Sequence, residues 1–208
     1  MYRRHFIRFA LAGLPLGVFA AGKPPVVLVL GDSLSAEYGL ARGTGWVALL
    51  EKKFQSEKIS AKVVNASISG DTTSGGRSRL PALLKTHQPS VVVIELGSND
   101  ALRGLPLSMT EDNLTALARA AQEAGAKVML VGMQMPPNYG ADYGNRFSAL
   151  FEKVAKARKT ALVPFMLKDV ADQPDALKFF QADRIHPTAE AHPIILANLW
   201  PTVRTLLK

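Results

Sequence analysis

Apolar residues along the chain follow two alternating spacings. Five short segments, mostly continuous apolar runs rich in β-branched residues, predict buried strands: Val26–Leu30, Lys62–Ala66, Val91–Leu96, Lys127–Val131 and Ala161–Phe165. Between them, apolar residues recur at helical spacing, which predicts helices over Trp46–Phe54, Arg77–Lys85, Ser108–Glu123, Asn145–Lys159 and 188–208. A capping-box spacing of Ser108 and Glu111 opens the third helix, and Pro201 is expected to break or kink the last one.

These strands alternate with helices and are apolar on both faces. This order predicts one α/β domain with a flavodoxin-like, three-layer α/β/α architecture around a five-stranded parallel sheet. We expect the domain to span residues 21–208. Because such sheets bind ligands beyond the carboxyl ends of their strands, the polar residues that follow each strand are the candidates for chemistry.

The composition limits what that chemistry can be. The 208 residues include no cysteine, which excludes disulfides, thiolate-bound metals, iron–sulfur clusters and a cysteine nucleophile. A formal charge of +8 would suit nucleic-acid binding, but the basic residues are scattered and form no stripe interleaved with aromatic residues. We therefore expect no nucleic-acid partner. We also expect a monomer.

The first 20 residues have the composition of an export signal. Arg3, Arg4 and Arg8 precede a short apolar run that ends in small residues, which is the order of a cleavable signal peptide. The arginine pair also resembles a twin-arginine signal, so the Sec and twin-arginine routes both stay open, as does an uncleaved anchor. Cleavage after Ala20 would lower the charge from +8 to +5 and release a periplasmic or secreted protein without a stable membrane span.

Four polar, glycine-punctuated segments lie at strand ends or before the last helix. Residues 31–35 (GDSLS), 65–71 (NASISGD) and 97–100 (GSND) follow the first three strands, and residues 183–187 (DRIHP) precede the last helix. Since the carboxyl ends of parallel strands share one edge of the sheet, we expect the four segments to converge there.

In this order the four segments resemble the blocks of the SGNH (GDSL) hydrolase family. From residue 26 to the C-terminal helix, the chain is most similar to the bacterial thioesterase I/lysophospholipase/arylesterase branch. NASISGDT, LPALLKTHQP, ELGSND, PPNYG and IHP carry this closer resemblance. The resemblance implies a serine esterase that hydrolyses small-molecule acyl esters and thioesters through an acyl-enzyme intermediate, with no cofactor and no metal.

The residues themselves indicate a nucleophile, a base and an acid. Ser33 lies at a strand-to-helix turn, where its hydroxyl can project into a cleft. His186 is the one histidine in a loop at the expected edge, and Asp183 lies three residues before it, close enough to orient the imidazole. The other three histidines lie in the signal segment, at the opposite sheet edge and inside the last helix: His5, His87 and His192.

The resemblance also implies an oxyanion hole formed by the Ser33 and Gly70 amides and the Asn99 side chain. Two positions depart from close relatives: Ser98 stands where glycine or alanine is frequent, and Arg184 stands where glycine is found. Neither departure changes a named catalytic residue, and both leave the substrate preference open.

Other polar residues near these segments are expected to be structural. Asp32, Asp71 and Asp100 are expected to bind loop amides in Asx-type turns. We expect Glu95 to be paired in the core rather than catalytic, and Arg103 to lie in solvent.

Two loops at the same sheet edge predict an apolar groove for an acyl chain. One follows Asn99 and the other, residues 136–140, follows the fourth strand. Because each buried methylene contributes about 0.8 kcal/mol, such a groove favours medium or long acyl chains over acetate. The predicted contacts are Leu102, Leu105, Leu107 and Tyr139.

Two other functions stay open. An SGNH carbohydrate O-acetylesterase would keep the fold and the triad, although the PPNYG loop argues against it. A non-catalytic flavodoxin-like binding module would need a phosphate-binding loop after the first strand, and GDSLSAEYG has too few glycines for one.

Overall fold

The computed structural model describes residues 23–208, so the predicted signal peptide lies outside the described residues. Five strands form one parallel sheet in the order β2-β1-β3-β4-β5. They are β1 (Val26–Gly31), β2 (Lys62–Asn65), β3 (Val91–Glu95), β4 (Lys127–Val131) and β5 (Ala161–Val163). This is the flavodoxin-like order, and the predicted fold class is confirmed.

The central strands β1 and β3 are buried almost throughout, as strands covered by helices on both faces must be. Their register pairs Gly31, the last residue of β1, with Glu95, the last residue of β3. The two strands therefore end side by side. This register sets Ser33 and Asn99, which follow β1 and β3, at one edge of the sheet.

The described chain has six α-helices: α1 (Trp46–Ser56), α2 (Thr73–His87), α3 (Ser98–Leu102), α4 (Leu107–Glu123), α5 (Ala141–Arg158) and α6 (His192–Leu206). α1 packs against α6, while α2 packs against α4 and α4 against α5. These two groups of helices and the sheet make three layers. In the described residues no helix is both long enough and apolar enough to span a membrane.

Helix α2 begins earlier than predicted, at Thr73 rather than Arg77. The Thr72 hydroxyl accepts a hydrogen bond from the Gly75 amide and so caps the first turn. The glycines of this turn carry no side chain that could show helical spacing, which is why the sequence pattern missed it.

The predicted capping box at Ser108 is wrong. Helix α4 begins at Leu107, with Pro106 at the N-cap position and no side-chain cap. Ser108 therefore lies within the first turn instead of preceding it. The proline ends the loop, because its fixed φ suits the residue before a helix and it needs no hydrogen bond for a backbone N–H.

The last two helices also differ from the sequence prediction. α5 begins at Ala141 instead of Asn145, with Asp142 in its first turn, where the helix dipole favours a negative charge. A short 3₁₀ turn (Ala189–Ala191) precedes α6, which continues through Pro201 to Leu206 without a break.

Candidate active site

Ser33 lies in a tight turn directly after β1. The amides of Ser35 and Ala36 donate to the Asp32 carbonyl at 3.2 and 3.0 Å. The Leu34 amide donates to Asp32 Oδ1 at 3.0 Å. The turn needs a glycine before it, because a Cβ at Gly31 would lie 2.9 Å or less from the side chain of Ser35. Folded in this way, the turn leaves the Ser33 side chain half-buried at the carboxyl edge of the sheet.

A hydrogen-bond relay connects Ser33, His186 and Asp183. The distance from His186 Nε2 to Ser33 Oγ is 2.9 Å, and that from His186 Nδ1 to Asp183 Oδ2 is 2.6 Å. The second carboxylate oxygen of Asp183 accepts the backbone N–H groups of Ile185 and His186 at 2.9 and 3.0 Å. One short loop thus holds both the acid and the imidazole.

This geometry fixes the protonation of the relay. Desolvation acts to raise the pKa of Asp183, but hydrogen bonds from the His186 and Ile185 groups outweigh it and lower the pKa to about 2. Asp183 is therefore a carboxylate at neutral pH. Because a carboxylate only accepts, Nδ1 of His186 donates to Asp183, and in the neutral tautomer that this bond selects Nε2 is the acceptor that faces the serine hydroxyl.

Two residues that the sequence analysis did not identify hold the loop of His186. The Tyr38 ring packs on the imidazole, with 4.2 Å between ring centroids. The Gln181 side-chain amide donates to the Tyr38 carbonyl at 2.9 Å and to the Pro187 carbonyl at 3.0 Å. These contacts join the loop of the base to the segment that follows Ser33. Neither residue belongs to a motif or a periodic pattern, so the sequence carried no signal for them.

The three donors that the resemblance assigns to an oxyanion hole each have at least one hydrogen that no described residue accepts. The backbone N–H groups of Ser33 and Gly70 donate no hydrogen bond to any residue of the described chain. Asn99 Nδ2 donates one hydrogen to Asp32 Oδ2 at 3.0 Å, which leaves its second hydrogen available. Gly70 has a φ of +78°, in the left-handed region that favours glycine.

Arg103 was expected to lie in solvent, and it also makes one hydrogen bond within the site. Its guanidinium is exposed, yet Nη2 donates to the Gly70 carbonyl at 2.7 Å. Since Arg103 follows α3, this bond ties the loop of Gly70 to the helix that carries Asn99.

The neighbouring carboxyls match the expected Asx-type turns only in part. Asp32 accepts the Leu34 amide within its own turn. Asp71 accepts the adjacent Thr72 amide and also forms an ion pair with Arg79. For Asp100 the expectation is wrong, because this buried carboxyl accepts the amide of Thr73, 27 residues away at the start of α2. Glu95 is paired in the core, but with a hydroxyl and an amide instead of a cation: its Oε2 accepts from Ser35 Oγ at 2.7 Å and from the Asp32 amide at 3.3 Å.

His192 lies apart from this relay. It is buried at the start of α6, where Nδ1 accepts the Trp46 amide at 3.0 Å. Desolvation by burial lowers the pKa of His192 to about 4, so the ring is neutral at physiological pH. Its contacts give it a structural role.

The predicted groove residues are divided between two places. Leu102 and Tyr139 are exposed, and the Tyr139 ring stacks on Tyr143, whose hydroxyl donates to the Ala101 carbonyl at 3.4 Å. These contacts bring the 136–140 segment next to α3. Leu107 instead lines an open groove between α4 and α5. Leu105, which lies between Leu102 and Leu107 in the sequence, is half-buried.

Among the described residues, no group of three or more His, Asp or Glu side chains is placed to hold a metal ion. The relay and the free N–H groups make an arrangement of the kind found in serine hydrolases.

The chain belongs to the GDSL-like lipase/acylhydrolase family, whose model matches residues 29–194. It is 51% identical over 181 residues to the esterase TesA of Pseudomonas aeruginosa, covering 87% of this chain and 89% of that protein. It is 44% identical over 182 residues to the thioesterase 1/protease 1/lysophospholipase L1 of Escherichia coli K12, covering 88% and 85%. The crystal structure of a TesA superimposes with a TM-score of 0.83 at 50% identity, covering 87% of this chain and 99% of that one. The predicted family and the prediction of an ester-hydrolysing enzyme are confirmed.

Proposed function

We propose that this enzyme hydrolyses acyl esters and thioesters, with Ser33 as nucleophile, His186 as general base and Asp183 as the acid that orients it. The observation that carries the proposal is the continuous relay from Ser33 Oγ through the imidazole to the Asp183 carboxylate, at 2.9 and 2.6 Å. The relatives named for esterase, thioesterase and lysophospholipase activity support the same substrate class.

Each proton in the proposed reaction has a defined destination. Ser33 Oγ attacks the acyl carbonyl carbon while its proton passes to His186 Nε2. The bond to the leaving oxygen or sulfur breaks, and His186 returns the proton to that atom, which leaves an acyl-Ser33 ester. Water then attacks the ester, His186 takes a proton from the water, and the proton returns to Ser33 as the carboxylic acid departs. Asp183 stabilises the imidazolium in both halves.

The negative charge that develops on the carbonyl oxygen needs donors near Ser33. We assign them to the Ser33 and Gly70 amides and to the free hydrogen of the Asn99 side chain, none of which is used by another described residue. Losing one such donor costs about 2.7–4 kcal/mol of transition-state stabilisation.

The surface around the relay suits an apolar acyl chain. Of the six large hydrophobic side chains exposed in the described residues, five lie in the segments that carry the site: Tyr38, Ile68, Leu102, Tyr139 and Ile185. Exposed apolar side chains gathered at one site mark a binding surface. This rim favours medium or long acyl chains over the acetyl groups of a carbohydrate O-acetylesterase.

The test is a series of acyl esters and thioesters from two to sixteen carbons, hydrolysed by the wild type, Ser33→Ala and Ser69→Ala. Ser69 is an exposed serine in a neighbouring loop and serves as the matched control. Ser33→Ala should lose about 10⁴-fold or more in kcat and fail to react with a serine-directed phosphonate. Ser69→Ala should retain both properties. Phosphonate labelling of Ser33→Ala, or a steep preference for acetate, would contradict the proposal.

We also propose that the enzyme is exported and acts in the periplasm or outside the cell. Three arginines ahead of a short apolar run and a small-residue cleavage site support this location.

A further inference from the structure

Two buried carboxyls lie beneath the turn of Ser33. Asp32 and Glu95 are 1% and 2% exposed. In residues 23–208, no lysine or arginine forms an ion pair with either of them. Burying a carboxylate without a cation is unfavourable, and two adjacent carboxylates repel each other. The pair therefore needs a proton to remain buried.

The electrostatics of the pair favour the proton on Glu95. Asp32 accepts the Leu34 amide on Oδ1 and Asn99 Nδ2 on Oδ2, both at 3.0 Å, so both of its oxygens are used as acceptors. Burial and the neighbouring Asp32 raise the pKa of Glu95 well above its usual value, and a hydrogen bond to the Asp32 side chain contributes in the same direction. Burial raises the pKa of Asp32 only to about 6. These shifts favour the proton on Glu95 and leave Asp32 as the acceptor for the Leu34 and Asn99 groups.

The hydrogen bonds of Glu95 tie it to the turn of Ser33. Trp46 Nε1–H donates to Ser35 Oγ at 3.1 Å, so the Ser35 hydroxyl directs its own proton to Glu95 Oε2 at 2.7 Å. Glu95 Oε2 also accepts the Asp32 backbone amide at 3.3 Å. Glu95 therefore holds the residues on both sides of Ser33.

We propose that Asp32 is a positioning residue for Asn99, and that Glu95, which accepts the Asp32 amide and the Ser35 hydroxyl, holds the turn of Asp32 in place. The inference rests on the proposed role of Asn99 in the oxyanion hole. A hydrogen bond to a carboxylate is stronger than one to a neutral acceptor. With one amide hydrogen fixed on Asp32 Oδ2, the planar Asn99 amide directs its second hydrogen along a single line.

A double-mutant cycle of Asp32→Asn and Asn99→Ala tests the coupling. In Asp32→Asn the side chain keeps an oxygen for the Leu34 amide, but its NH₂ group faces the NH₂ group of Asn99. Asn99 then has no acceptor at this position. We expect kcat to fall about tenfold or more with KM within about threefold, since a misdirected oxyanion donor is a transition-state loss. The double variant should be no slower than Asn99→Ala alone.

The matched control is Glu37→Gln. Glu37 is also a carboxylate near Ser33, but it accepts only the Gly43 and Gly45 amides, at 2.8–3.2 Å. Removing its charge should leave kcat unchanged. If Asn99→Ala itself has no effect on kcat, the proposed oxyanion hole fails. If Asn99→Ala is slow but the two losses multiply in the double variant, the oxyanion hole stands and the positioning role of Asp32 is overturned.

The role of Glu95 has its own test. Glu95→Gln keeps an oxygen for the Ser35 hydroxyl and the Asp32 amide, so its kcat should stay within about threefold of the wild type. Glu95→Ala removes this acceptor and should lose about tenfold or more in kcat. A glutamine variant as slow as the alanine variant would overturn the role of Glu95. Should the alanine variant fail to fold, the glutamine variant alone decides the question.

Discussion

At the scale of single residues, one turn in the loop of the relay holds a residue other than glycine in an unfavourable backbone conformation. Arg184 lies between Asp183 and His186 with a φ of 59°, in the left-handed region. That conformation costs a residue with a Cβ roughly 1–2 kcal/mol, whereas glycine adopts it freely. A glycine at this position would therefore fit the turn better than the arginine found here.

Substitutions at Arg184 should rank in unfolding free energy with glycine highest, the wild-type arginine next and valine lowest. We expect Arg184→Gly to raise the unfolding free energy by up to about 1 kcal/mol, because relief of the left-handed backbone is partly offset by the greater freedom of glycine in the unfolded chain. Arg184→Val should lower it, since a β-branched residue tolerates this region worst. Urea unfolding of the three proteins measures the order.

The control for this series is Arg42→Gly. Arg42 is an exposed turn residue outside the positive-φ region, so glycine there should leave stability unchanged or lower it. A glycine variant at 184 that is less stable than the wild type would contradict the strain argument.

The sequence predicted the residues of the relay but not those that hold them. Ser33, Asp183 and His186 could be found because each follows a strand or precedes the last helix in a recognisable polar segment. The bond between Asp32 and Asn99 joins positions 67 residues apart, and the ring contact of Tyr38 with His186 depends on two loops meeting. Such contacts follow from strand order and register, which no local pattern contains.

At the scale of elements, the joint between α1 and α6 depends on one neutral histidine. The free backbone N–H of Trp46, at the start of α1, is satisfied by Nδ1 of His192 at the start of α6. A protonated ring could no longer accept this bond, so protonation of His192 loosens the joint.

This joint predicts a pH dependence of stability. In the unfolded chain His192 takes up a proton near pH 6.5, whereas in the folded protein burial delays protonation until about pH 4. The unfolded state therefore binds more protons in this window, and lowering the pH from 6.5 to 4 removes about 3 kcal/mol of unfolding free energy. The measurement is urea unfolding between pH 7 and pH 4 for the wild type and His192→Gln, which keeps an acceptor for Trp46.

Comparing the two proteins isolates the histidine from other groups. The raised pKa values of Asp32 and Glu95 give a contribution of opposite sign, which is lost as pH rises, but both proteins share it. The stability advantage of the wild type should shrink as pH falls. Parallel stability curves would mean that His192 does not titrate as its burial implies.

The contact between β4 and β5 predicts a second effect at this scale. Gly132 follows β4, and a Cβ there would lie 2.3 Å from the Pro164 carbonyl oxygen after β5, a backbone atom that cannot turn aside. Gly132→Ala should lower the unfolding free energy by about 2 kcal/mol through overpacking. Gly144, inside α5, has no neighbour closer than 4.0 Å. Gly144→Ala should raise stability by about 0.5–1 kcal/mol, and thermal unfolding distinguishes the two variants. Equal effects would contradict the packing argument.

The sequence located strands better than helix starts. Short runs rich in β-branched residues identified all five strands of the sheet. The signal is clearest for β1 and β3, because a strand covered on both faces has no polar side. The edge strand β2 is exposed at both ends, and only its two half-buried valines indicated it. The starts of α2 and α4 were missed because a glycine-rich first turn and a proline entrance leave no side-chain periodicity to detect.

At the scale of the whole molecule, one edge of the sheet gathers groups from distant parts of the chain. The β2-β1-β3 order sets the loops of Gly70, Ser33 and Asn99 beyond adjacent strands, and the loop before α6 brings His186 to Ser33 across 153 residues. The rule that ligands bind beyond the carboxyl ends of parallel strands was enough to predict this meeting place. The rule does not specify how the side chains there bond to one another.

The last prediction concerns the chain ahead of this domain. Every residue placed in the site lies after β1, which begins at Val26, so removing residues 1–20 should leave kcat and the unfolding temperature of the domain unchanged. N-terminal sequencing of enzyme from the exported fraction should start at Ala21 or within two residues of it. Replacing Arg3 and Arg4 together by lysine separates the routes. Retention of the precursor in the cytoplasm indicates the twin-arginine route, and normal export indicates the Sec route. Full-length chain found only in the membrane pellet would show an uncleaved anchor instead.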